Sequence, residues 1–221
     1  MNASEDQQNQ VIDIPLDADF LQQSNALAAK NRKLLDDYNM KAFEILGSVG
    51  AGKTSLAMQL VDHLKAHRIA VIAGDLTTTI DADRIKEKGA KVIQVNTGRE
   101  CHLDPAYVLD AMSQFDLAKF DLMFIENVGN LICPADFKLG ADKRIVVVSV
   151  TEGPYTVLKH PYIFLEADLV VINKIDLAEA MKVNVAKLER ELLDLNPNID
   201  IVRTNLTTGE GVEEIIGKLE L

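Results

Sequence analysis

The string Gly47-Ser48-Val49-Gly50-Ala51-Gly52-Lys53-Thr54 constrains this chain more than any other feature. It follows an apolar run at 42–46 and leads, through Ser55, into a segment at 54–67 with helical apolar spacing. A strand that turns through such a loop into a helix is built to hold phosphate. The glycines let the chain wrap closely, so that backbone N–H groups converge on the anion, and the helix start adds the positive end of its dipole. In this pattern Lys53 reaches the β- and γ-phosphates of a nucleoside triphosphate and Thr54 offers its hydroxyl to Mg²⁺.

Six further apolar runs, at 69–73, 91–95, 122–125, 145–150, 169–172 and 199–202, read as buried strands. Helical segments fall between them, including 105–115, 183–195 and 212–219. The alternation predicts an α/β fold of the P-loop NTPase type, with a predominantly parallel sheet and helices on both faces. No repeat and no linker rich in Gly, Pro or Ser divides the 221 residues, so 41–221 read as one nucleotide-binding domain. Residues 1–40 precede it as a polar, mobile tail and a helix over 16–38. Leu16, Phe20, Leu27, Leu34 and Leu35 recur at helical spacing there, with Asp17 as a candidate cap. The simplest role for that helix is to cover a sheet edge; a ligand-binding arm is the alternative.

A net charge of -11 excludes a protein held to nucleic acid by phosphate contacts, which would present a basic face. No run is long enough to span a membrane, and the polar start lacks the apolar stretch of a signal peptide, so the expected compartment is the cytoplasm. The two cysteines, Cys101 and Cys133, would stay reduced there. They are either metal ligands or buried small apolar residues.

Asn173-Lys174-Ile175-Asp176, directly after the run at 169–172, identifies the base. A carboxylate at Asp176 can accept from both N1–H and the exocyclic amine of guanine, whereas adenine presents a mismatched edge. Asn173 would touch the other side of the base and the stem of Lys174 would lie over the ring. GTP is therefore expected over ATP. Asp75, at the end of the run at 69–73, is a candidate for Mg²⁺ or its bound water, or else a cap for the helix that follows. Glu126 is a candidate Mg²⁺ sensor or a strand-end surface charge, and Gly129 can bring its N–H to the γ-phosphate.

The stretches GSVGAGKTSL, GDLTTTIDADRI, GRECHLD, FIENVGNLICP, DLVVINKIDL and TTGEGVEEII together resemble the HypB family, GTPases that support nickel insertion into [NiFe]-hydrogenase. That family belongs to the dimerising, SIMIBI branch of P-loop GTPases. The resemblance implies that Glu126 replaces the aspartate usual in other GTPases and that Asp75 lies in the first switch. It implies hydrolysis of GTP to GDP tied to a GTP-promoted homodimer, with hydrogenase maturation proteins and the hydrogenase large subunit as partners. Two departures stand out. Residues 1–10 hold neither Cys nor His, so the nickel store of many bacterial members is missing there. Thr204-Asn205-Leu206 replaces the small Ser-Ala-type loop that often backs the guanine.

Cys101, His102 and Cys133 offer thiolate and imidazole ligands that suit Ni²⁺ or Zn²⁺. On residues alone, cysteines this far apart in sequence are more often buried thiols, and His102 a surface or capping residue; the family resemblance shifts the reading to metal binding. One chain supplies three ligands, and a second copy would complete a site on a symmetric interface. Two other classes compete. A protein-binding GTPase switch would use both cysteines as core residues. A urease-type nickel GTPase would place Pro between Cys and His, which are contiguous here.

Overall fold

Strands covered on both faces lose the polar–apolar alternation of half-exposed ones and become continuous runs of Val, Ile and Leu. The computed structural model describes residues 18–75, 79–98 and 100–221, and all seven runs form one sheet in it. They are β1 (Lys41–Gly47), β2 (Ile69–Asp75), β3 (Lys91–Asn96), β4 (Leu122–Glu126), β5 (Lys143–Ser149), β6 (Leu169–Asn173) and β7 (Asp200–Thr204). Their order is β3-β2-β4-β1-β5-β6-β7, and every neighbouring pair is parallel.

Parallel neighbours need crossovers, and α-helices supply all but the one from β4 to β5, which holds only a short turn. The helices are α1 (Ala18–Asp37), which precedes β1, α2 (Lys53–His63), α3 (Ile80–Glu87), α4 (Pro105–Ser113), α5 (Thr156–Lys159), α6 (Pro161–Leu165), α7 (Val185–Leu195) and α8 (Val212–Leu219), which follows β7. Successive strand residues face opposite ways. Phe43, Ile45, Val71, Phe124 and Val147 therefore meet α2, α3 and α8, while Ala42, Ile72, Met123 and Ile125 meet α1 and α4 on the other side. On that second side Val146, Val148, Val170 and Ile172 pack against α5, α6 and α7.

Several boundaries move for local reasons. The helix expected to reach residue 67 ends at His63, because Arg68 N–H is taken by the Asp121 carboxylate as the chain turns into β2. β5 runs two residues earlier than the apolar run suggests. At its end Ser149 and Glu152 form a reciprocal capping box that bends Val150 into a short turn. α7 starts after Asn184, whose side chain accepts from Lys187 N–H.

α1 does not cover a sheet edge. The edges are β3 and β7, whereas α1 packs on α4 beside the central strand β1. Buried Asn31 fixes it there by donating to the carbonyls of Pro105, at 2.8 Å, and Leu139, at 3.0 Å. The tail expected at the start of the chain, the cap at Asp17 and the packing of Leu16 and Phe20 lie outside what is described.

Candidate functional site

In an open parallel sheet, ligands sit beyond the carboxyl ends of the strands where the strand order reverses. Here β1 lies between β4 and β5, and the loops after β1, β4, β6 and β7 meet at that end. They enclose a cleft of about 420 Å³ lined by the phosphate loop, Asp75, Glu126, Gly129, Lys174 and Asp176. A larger cavity of about 610 Å³ lies elsewhere, between α1 and the 138–142 loop, and holds none of the phosphate-loop residues.

The loop is closed by contacts that only glycine allows. Gly52 has φ +116°, and a Cβ there would stand 2.3 Å from Asn173 Nδ2. At Gly129 a Cβ would fall 2.6 Å from Val49 Cγ2 and 3.0 Å from Val49 N, so the phosphate loop and the expected γ-phosphate sensor touch directly. Lys53 opens α2, is buried, and donates to the carbonyl of Ser48 at 3.0 Å, folding its ammonium back over the loop. Burial lowers its pKa, against the nearby charges of Glu126, Asp81, Glu152 and Asp75.

Thr54 donates its hydroxyl to Glu126 Oε1 at 2.7 Å. Glu126 Oε2 is buried and has no protein partner, as has the Ser48 hydroxyl. Burial pushes the Glu126 carboxyl up to about 7, despite the Thr54 hydrogen bond and the Lys53 charge. A buried carboxylate oxygen left unmatched beside a threonine hydroxyl and a lysine is the donor set a hard divalent cation and its phosphate would satisfy. Asp75 lines the same cleft, so these residues fit Mg²⁺.

On the base side, Asn173 is a strut. Its Nδ2 donates to the Ala51 carbonyl at 2.8 Å, and its Oδ1 accepts from Leu206 N at 3.1 Å and Thr204 Oγ1 at 3.2 Å. It locks the phosphate loop to the 204–206 loop while still lining the cleft where the base is expected. Thr204 is wholly buried and turned inward by that bond, so it offers the base no hydroxyl. Asn205 turns its side chain onto Thr207 N at 3.1 Å. Lys174, in the left-handed region at φ +61°, reaches back to the Gly50 carbonyl at 2.8 Å, and Asp176 is exposed at the mouth of the cleft.

Cys101 and His102 follow β3, and Cys133 opens a short turn, Cys133–Asp136, after β4. The fold brings the two thiols together, and their mutual hydrogen bond, followed by burial, pushes the Cys101 thiol up. Cys101 Sγ lies 3.9 Å from His102 Nδ1. The His102 ring stacks on Phe137 at 4.3 Å between centroids, and burial lowers its pKa against Glu100, Asp104 and Asp136. Among the described residues of one chain, no group of three or more His, Cys, Asp or Glu side chains is arranged to hold a metal ion.

The profile of the family described as "CobW/HypB/UreG, nucleotide-binding domain" matches residues 41–203. A probable hydrogenase maturation factor HypB from Methanocaldococcus jannaschii is 49% identical over 203 residues, covering 91% of this chain and 92% of the relative. The chain belongs to the HypB branch of this family. The Escherichia coli K12 hydrogenase maturation factor HypB is 39% identical over 94% of this chain and 72% of its own length. Among solved structures, HypB from Archaeoglobus fulgidus superimposes with a TM-score of 0.83 at 42% identity, over 90% of this chain and 98% of its own. HypB from Helicobacter pylori in complex with nickel gives 0.85 at 33% identity, over 90% and 94%.

Sequence reading passed over two residues of this HypB-family cleft. Asp81 and Arg84, on the first turns of α3, line it, and Asp81 acts on the charges of both Lys53 and Glu126. The signal lay in the acid that opens the helix after the 76–78 segment. Glu152 also acts on Lys53, brought near by the capping box at the end of β5.

Proposed function

We propose that this chain is a GTP-hydrolysing metallochaperone that assists nickel insertion into [NiFe]-hydrogenase, acting as a GTP-promoted homodimer in the cytoplasm. One observation carries the reading: Cys101 and Cys133 meet just beyond the 126–129 segment that joins the Mg²⁺ and γ-phosphate positions. Asp176 selects guanine, and Thr54, Asp75 and Glu126 hold Mg²⁺, which neutralises charge on the phosphates. Lys53 and the phosphate-loop amides stabilise the charge that develops as water attacks. Nickel, or zinc in its place, is cargo taken by Cys101, His102 and Cys133, with a second copy of the chain completing the ligand set. Relatives named as hydrogenase maturation factors support a hydrogenase as the destination, and the hydrogenase large subunit and other maturation proteins are the partners this reading takes.

The test is nickel bound per subunit after gel filtration, with GDP and with a non-hydrolysable GTP analogue. Nickel that follows the nucleotide and elutes with a dimer supports the reading. No specific metal in either state leaves a GTPase switch whose cysteines are structural.

A further inference from the structure

One buried group has no role in the nucleotide chemistry. Glu44, in the middle of β1, is fully buried, and the sheet register sets it directly beside Arg144 of β5, itself 7% exposed. Both lie on the sheet face that carries α1 and α4 at one end and α5 to α7 at the other, interrupting an otherwise apolar surface. Burial pushes the Glu44 carboxyl up, while the Arg144 charge and hydrogen bonds from Asn127 and Arg144 draw it down. A buried ion pair adds little stability over well-packed apolar side chains of the same volume, so its place calls for another account.

The hydrogen bonds at its two ends supply one. Glu44 Oε2 accepts from Arg144 Nε at 3.1 Å, and Arg144 Nη2 and Nη1 then donate to the carbonyls of Pro134, at 2.6 Å, and Ala135, at 3.4 Å. These carbonyls belong to the turn that Cys133 opens. Glu44 Oε1 accepts from Asn127 Nδ2 at 2.9 Å, and Asn127 Oδ1 accepts from Leu103 N at 2.9 Å, next to His102. Asn127 stands between Glu126 and Gly129. A single fully bonded chain of side chains therefore joins the segment that would sense Mg²⁺ and γ-phosphate to both loops that carry Cys101, His102 and Cys133.

We propose that Glu44 and Arg144 are positioning residues that, through Asn127, make the spacing of the Cys101 and Cys133 thiols depend on the nucleotide. The proposal rests on the switch reading above. Peptide segments tied rigidly at both ends move together, and a displacement of Asn127 is passed to the Cys133 turn through charge-assisted bonds, which have well-defined geometry. The second asparagine of the segment reinforces the tie. Asn130 N donates to the Gly47 carbonyl at 3.0 Å, and its Nδ2 donates to the Cys101 carbonyl at 3.3 Å.

The experiment measures, on the full chain, the rate of thiol modification by a small disulfide reagent and the nickel dissociation constant. Both are taken with GDP and with a non-hydrolysable GTP analogue. In the unaltered protein the two states should differ by about 5-fold or more in each measurement, the lower end of typical coupling. Glu44→Gln should bring both ratios to within about 2-fold of one, with GDP affinity unchanged. Because that change leaves Arg144 unmatched, Glu44→Met/Arg144→Met is tested beside it; it removes both charges and should fold and give the same loss. A wild-type ratio in either folded variant overturns the relay while leaving the switch intact. Equal rates and equal nickel affinities in the two states of the unaltered protein overturn the switch reading itself, and the relay with it.

Discussion

Glu126 shows how one residue's burial sets a pH dependence. Its carboxyl is pushed from 4.5 up to about 7 in the folded chain because charging it means stranding Oε2 without a partner. A folded-state pKa raised above the unfolded value gives stability that is complete below the unfolded pKa and is lost as pH rises through the folded one. The metal-free protein should therefore lose on the order of 3 kcal/mol relative to Glu126→Gln between about pH 4.5 and 7.5. Paired thermal melts across that range test it, and a flat difference between the two proteins would sink the assignment. Mg²⁺ needs the ionised form, so its affinity with GDP should climb over the same window. Lys53 lends itself to a simpler test. Lys53→Ala removes the buried ammonium folded back over the phosphate loop, and GTP turnover should fall about 100-fold or more; a near-normal rate overturns the site. The string from Gly47 to Thr54 made Lys53 legible, since spacing alone fixes its place. The inward turn of Asn173 was not legible, because it depends on where the 204–206 loop passes, a tertiary fact with no local signal.

At the scale of elements, the strands were readable because the inner ones are covered on both faces and so keep mostly apolar runs, while the edges β3 and β7 are more exposed and carry polar residues such as Gln94 and Arg203. α5 and α6 were not, at four and five residues each, since neither completes the two turns over which a helical period can be seen. α3 was hidden for another reason: only Ala82 and Ile85 of its eight residues are buried, and two contacts make no stripe. Pairing between elements also decides what a glycine does. Gly129 sits against the Val49 backbone, and Gly129→Ala would press a methyl to within 3.0 Å of Val49 N, an atom that cannot swing aside. The substitution should slow GTP turnover about 10- to 100-fold by displacing the sensor, while GDP, which lacks the γ-phosphate, binds within about 3-fold of normal. Stopped-flow turnover and GDP titration separate the two effects. Equal losses in both would mean that the loop had collapsed rather than that sensing had failed.

For the whole molecule, charge and apolar exposure work against each other. Val49, at 84% exposure, touches Gly129, and Ile132, at 66%, directly precedes Cys133, so both exposed apolar side chains belong to the loops of the proposed switch. Two chains meeting there would bury apolar side chains, but each brings a formal net charge of -11. Like-charged partners repel over a Debye length of about 30 Å at 0.01 M salt and about 8 Å at 0.15 M. A dimer held by apolar contact should therefore strengthen as salt is added, the opposite of one held by ion pairs. With the GTP analogue bound, sedimentation velocity should show the dimer fraction rising between 0.01 and about 0.15 M salt. Ile132→Glu should lower it at every salt concentration, by adding charge to the contact and removing its apolar area. If, as proposed, a second copy completes the ligand set, the same variant should bind less nickel per subunit. If Ile132→Glu dimerises as well as the unaltered chain, this face is not the contact. Nickel would then have to be held within one chain by a rearrangement of Cys101, His102 and Cys133.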